Sequence, residues 1–146
     1  MAGWAVTSAT PGGAQQIREA GVQGVVTSSD PALVVLGPYG ALRAIGRTRL
    51  SGFIGGGVSD QEFAWRAEAL AHFLLSPDRR TGWGVYAAGG LAAVGGSDAH
   101  GYLVFTLGAE GSPGRSSGWV AEAGIGGGVR IALGYRWRWF PAVWPQ

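Results

Sequence analysis

The chain of 146 residues has no cysteine, no lysine and a single methionine. Without cysteine there is no disulfide framework and no thiol chemistry. Two histidines and no cysteine leave too few ligands for a dedicated zinc site, and no motif calls for another cofactor. All eleven basic side chains are arginine, which a GC-rich genome explains without a functional cause. Charged residues make up only 14% of the chain and the net charge is +2, too small a balance to imply a nucleic-acid partner. Long apolar runs are missing as well. Hydrophobic residues reach 47%, yet no stretch approaches the roughly 18 residues of a transmembrane helix. Hydrophobicity that is abundant but scattered over alternating positions is what a β-barrel needs.

Glycine is plentiful instead, at 28 residues, with no collagen-like period. The runs Gly55-Gly56-Gly57, Gly89-Gly90 and Gly126-Gly127-Gly128 are not phosphate loops, because none precedes a helix or is followed by lysine. Glycine in a barrel strand leaves room for bending or for a neighbouring aromatic ring.

The clearest pattern runs from Val129 to Phe140. Val129, Ile131, Leu133, Tyr135, Trp137 and Trp139 share one parity; Arg130, Ala132, Gly134, Arg136 and Arg138 share the other. A period of two is a strand with one apolar and one polar face. Aromatic rings at the end of the apolar face suit a membrane–water boundary, and the arginines opposite need water or carboxylates. A strand apolar outside and charged inside is one stave of a transmembrane barrel.

Turn signals divide the remainder. Asp30, Asp60, Asp78 and Asp98 all lie in Ser-, Pro- or Gly-flanked sequence. Between the turns, strands are expected at 17–28, 32–45, 47–58, 60–75, 82–94, 99–110, 117–126 and 129–140. Pro38 is a blemish in the second, since proline removes a ladder donor. The fourth has a rival reading as a helix, with Ser59-x-x-Glu62 as a capping box and Glu62–Arg66 and Glu68–His72 as i,i+4 pairs. A helix leaves Trp65, Phe73 and Leu75 among the charges, whereas a strand gathers every aromatic of the segment on one face, so a strand is expected. Ten residues at about 3.3 Å each, tilted near 40°, span about 25 Å, the height of an outer-membrane apolar band. The expected fold is therefore all-β: a closed, antiparallel, up-and-down transmembrane barrel of about eight strands. Residues 1–16 are read as a leader remnant or flexible extension, 17–140 as the barrel and 141–146 as a tail.

The inward parity collects Glu19, Arg43, Arg49, Glu62, Arg66, Glu68, His72, Glu110, Glu122, Arg130, Arg136 and Arg138. Buried charges must be paired, and both signs are present, so a salt-bridge network filling a closed lumen is expected. Glu68 with His72 as an acid–base pair and Ser51 as nucleophile is the competing catalytic reading, but no local motif marks it. Outward parity collects Trp65, Trp83, Trp119, Tyr135, Trp137 and Trp139, expected at the membrane interfaces.

In these features the chain resembles the small eight-stranded outer-membrane barrel proteins of Gram-negative bacteria over about residues 17–140. The final strand, Ile131-x-Leu133-x-Tyr135-x-Trp137-x-Trp139, is similar to the aromatic-terminated signal read by the barrel-assembly machinery, although here the chain continues from Phe140 to Gln146. The resemblance implies a bacterial outer-membrane location, with the lipid bilayer and the assembly machinery as partners. It transfers no activity. A structural or interaction barrel without catalysis is the leading expectation. An outer-membrane lipid-modifying enzyme and a soluble β-barrel ligand-binding protein are the alternatives.

Overall fold

The computed structural model describes residues 16–43, 46–96 and 98–141. The proposed leader and tail, apart from Gln16 and Pro141, lie outside these residues, as do Ala44 and Ile45 of the second expected strand. Among the described residues there are eight strands and no helix: β1 (Ile17–Ser28), β2 (Leu33–Arg43), β3 (Thr48–Ser59), β4 (Glu62–Leu74), β5 (Trp83–Gly95), β6 (His100–Gly111), β7 (Ser117–Ile125) and β8 (Val129–Trp139). Each pairs antiparallel with the next, and β8 closes on β1. The protein is an all-β, closed, up-and-down barrel. Arg18 pairs with Trp139, so both chain ends meet at one rim, called here the chain-end rim.

The contested segment is β4. Asp60 and Gln61 both have positive φ, at 50° and 64°, which is the backbone of a two-residue hairpin loop with the twist of its strands. Ser59 pairs with Glu62 across that loop. The residues that mimic a capping box are thus the closing pair of a hairpin. Pro38 is accommodated by a gap: the β2–β3 ladder stops after Leu36–Gly56 and resumes at Tyr39–Phe53 in unchanged register.

Inward glycines make space for large inward partners across the sheet. Gly55 faces Arg66, Gly124 faces Arg130, Gly21 faces Arg136 and Gly108 faces Tyr86. At these positions the missing side chain on the neighbouring strand leaves room in the narrow lumen for a guanidinium or a phenol. A Cβ at Gly108 would stand inside the Tyr86 ring, which is fully buried and hydrogen-bonded to Glu122. Gly108→Ala is therefore expected to lower stability by about 1–3 kcal/mol, the usual cost of overpacking. Its measure is the urea midpoint of the folded chain in detergent, and an unchanged midpoint would show that the ring moves freely.

The outward wall is the inverse of a soluble protein. Leu36, Leu91 and Leu103 are 64%, 62% and 65% exposed, and most other outward positions are also apolar or small. Along all eight strands the only charged outward residue is Arg18, at the chain-end rim.

Candidate functional site

The inward face of the strands builds the site. Near the chain-end rim, Glu19 and Arg138 are direct cross-strand partners on β1 and β8. Arg49 on β3 and Glu110 on β6 reach in from the sides. Arg49 bridges Glu19 at 3.2 Å and Glu110 at 3.0 Å; Arg138 bridges the same two at 2.9 and 3.1 Å. The result is an alternating ring of two cations and two anions.

A second cluster fills the rest of the lumen. Glu68 takes Arg66 at 2.6 Å and holds Arg130 through both carboxylate oxygens, at 2.8 and 2.6 Å. Arg130 continues to Glu122 at 2.8 Å, and Glu122 also accepts Arg136 at 3.4 Å and the Tyr86 hydroxyl at 2.6 Å. Each of the four buried glutamates is thus gripped by two arginines. Bidentate geometry is what the planar guanidinium supplies and an ammonium does not. Arg136 lies 3.8 Å above the Tyr39 ring, whose π face stands in for a further carboxylate.

The structure places one of the expected network residues elsewhere. Glu62 has the inward parity but is the first residue of β4 and is exposed at the far rim, so it is not part of the lumen network. Parity gives the face and not the depth. Arg43 is buried and donates to the carbonyls of Gly46 and Pro77, at 3.3 and 2.9 Å. Conversely, Tyr39, Tyr86, Gln23 and Thr27 belong to the network. Their inward parity was the signal; their lack of charge hid them. Two apolar clusters, around Val35 and Phe53 and around Leu70 and Val104, pack beside the charges.

The catalytic reading meets specific geometry. Ser51 Oγ does lie 2.7 Å from His72 Nε2. His72 Nδ1, however, faces Arg49 Nη2 at 3.3 Å, and Glu68 is engaged by Arg66 and Arg130. A guanidinium only donates, so Nδ1 is the acceptor and the ring proton sits on Nε2, donated to Ser51. A nucleophile's base needs the opposite tautomer, held by a carboxylate on Nδ1. The expected Glu68–His72 pair does not form.

The outward aromatics separate by height. Trp83, Trp119, Trp137 and Trp139 are about half exposed near the chain-end rim, with Tyr135 between Trp119 and Trp137 in edge-on contacts at 5.1 and 5.3 Å. Trp65, with Phe63, stands near the far rim, its ring lying against Gly95. The far rim closes with a cup of about 390 Å³ edged by Asp30, Asp60, Glu62 and Asp98.

No family model and no curated protein matches the chain. Among solved structures it is similar to Neisserial surface protein A, with a TM-score of 0.59 and 12% identity over 85% of this chain and 97% of that one. At that identity the likeness carries the barrel architecture and nothing finer.

Proposed function

We propose that this protein spans a Gram-negative outer membrane as a closed, non-conducting barrel with a structural or interaction role. The observation that carries the reading is the outward wall: eight strands of apolar and small side chains with a single charge at one edge. Exposed apolar surface of that extent on a soluble monomer drives association, whereas lipid is its natural solvent. The similarity to a protein named as a surface protein agrees with this placement. The assembly machinery that inserts such barrels is the proposed transient partner, through the aromatic end of β8.

The plugged lumen makes general porin activity a poor fit. An aqueous path would have to open salt bridges of 2.6–3.4 Å that cross the lumen between β1, β3, β4, β6, β7 and β8. The full chain, folded into a planar bilayer, is expected to give no discrete current steps. Steps of porin size at low voltage would overturn the closed-barrel reading. Detergent-free solubility as a monomer would overturn membrane placement and return the soluble-barrel alternative.

A further inference from the structure

The two rims carry opposite charge. Asp30, Asp60, Glu62 and Asp98 lie at the far rim, while Arg18, Arg43, Arg47, Arg79, Arg80 and Arg115 lie at the chain-end rim, where Asp78 is the one acid outside the lumen among the described residues. Four of these arginines converge. Arg43, Arg47, Arg79 and Arg80 line one pocket of about 320 Å³ with Asp78, giving three positive charges in excess.

The pocket is built by backbone contacts and not by chance overlap of mobile side chains. Gly114 N donates to Arg80 O at 2.9 Å and Ser112 N to Gly82 O at 2.7 Å, which ties the β6–β7 connection to the β4–β5 connection. Arg79 N donates to Ser76 O at 3.2 Å, closing a turn. Gly114 is required at this crossing: a Cβ there would collide with the backbone of Arg80. Arg43, buried behind the pocket, donates to Pro77 O at 2.9 Å, and Arg79 donates to Trp83 O at 3.0 Å. Asp78 forms no ion pair with the surrounding arginines among the described residues, and the Arg47 and Arg80 side chains have no ion pair or hydrogen bond there. Every lumen arginine in the two clusters, by contrast, is held by a carboxylate.

We propose that this pocket binds a phosphate group through Arg47 and Arg80, with Arg43 and Arg79 supplying fixed positive charge. Guanidinium forks match phosphate oxygens two at a time, and the forks of Arg47 and Arg80 carry no ion pair among the described residues. The pocket lies just beyond the belt of Trp83 and Trp139. On the membrane reading above, on which the lipid source rests, that is the level of phospholipid head groups. The phosphate then belongs to an anionic phospholipid of the adjoining leaflet; the same chemistry also fits free phosphate.

The test uses the full folded chain and the exposed variants Arg47→Gln and Arg80→Gln, alone and together. Arg115→Gln is the control, since Arg115 carries the same charge on the same rim outside the pocket. One arm titrates inorganic phosphate into the protein in zwitterionic detergent by calorimetry. The other compares phosphatidylcholine vesicles with and without phosphatidylglycerol, reading retention of the anionic lipid on extraction. The double variant is expected to bind its probe about tenfold or more weakly, with Arg115→Gln close to the parent. Phosphate binding in detergent assigns a soluble anion as the source; binding of the anionic lipid alone assigns the head group. Equal loss in Arg115→Gln, or no loss in the double variant, overturns the site. Tryptophan quenching by brominated lipid in the same vesicles separates the readings. Inserted protein without arginine-dependent binding refutes the pocket and leaves the membrane barrel standing.

Discussion

Glu68→Leu should be the most damaging single substitution in the lumen. Its carboxylate holds Arg66 and both Nε and Nη2 of Arg130, and all three side chains are almost completely buried. Removing it leaves Arg66 with Thr27 Oγ1 and the Gly126 carbonyl, and Arg130 with Glu122 alone. Breaking a buried pair from one side costs roughly 3–5 kcal/mol, because the surviving charge is left desolvated and uncompensated. Arg66→Leu should cost less, since Glu68 then keeps Arg130 on both oxygens. Leu103→Ala, at an outward position, should cost least, because lipid or detergent fills around a shortened side chain. The sharper signature is in the double variant. Adding Arg66→Leu to Glu68→Leu removes a stranded cation, so stability should recover partly where independent effects would add. Urea midpoints of the folded protein in detergent read all four variants. Equal midpoints for Glu68→Leu and Leu103→Ala would mean that water reaches the lumen and screens the charges.

This hierarchy shows how far the sequence reaches. Alternation in every strand placed Glu68, Arg66 and Arg130 on one face, since period two is all that a strand's pleat requires. What alternation does not carry is the stagger of one strand against the next. Glu68 sits beside Phe53 and Ala92 in register, yet its partner Arg130 comes from β8 across the barrel. Only closure brings β4 and β8 together across the lumen. Glu62 shows the same gap from the other side: its parity is that of Arg66, but four residues of rise toward the turn carry it out to solvent. The Ser51–His72 contact was also not readable. It depends on the β3–β4 register, which pairs Ser51 with Leu70 and Arg49 with His72, and so sets an arginine where a triad needs a carboxylate. The abundance of glycine was legible as room for neighbouring rings, but not as which glycine serves which side chain. The glycines answer individual large side chains on neighbouring strands, and that pairing exists only once register is fixed.

The largest spectroscopic effect is expected from the outward tryptophans in lipid. Trp119 and Trp65 are the informative pair because they mark opposite ends of the wall. Trp119 is 57% exposed near the chain-end rim and stacks edge-on with Tyr135, whose hydroxyl reaches Ser117 Oγ at 2.8 Å. Trp65 is 36% exposed near the far rim. Between these heights the wall is apolar, with Leu36, Leu91, Leu103 and Phe105 facing out. Indole combines an apolar body with an N–H donor, so it is stabilised at the head-group boundary, where both are satisfied, over the hydrocarbon centre. Variants that keep a single tryptophan, at 119 or at 65, remove the contribution of the other rings. Folded into vesicles, each should lose most of its emission to lipids brominated close to the head group and much less to lipids brominated near the chain ends. Stronger quenching by the deep bromines would place the belt in the hydrocarbon core and shift the apolar band along the barrel. Absence of quenching at both positions would take the outward wall out of lipid altogether, and with it the proposal that this barrel spans a membrane.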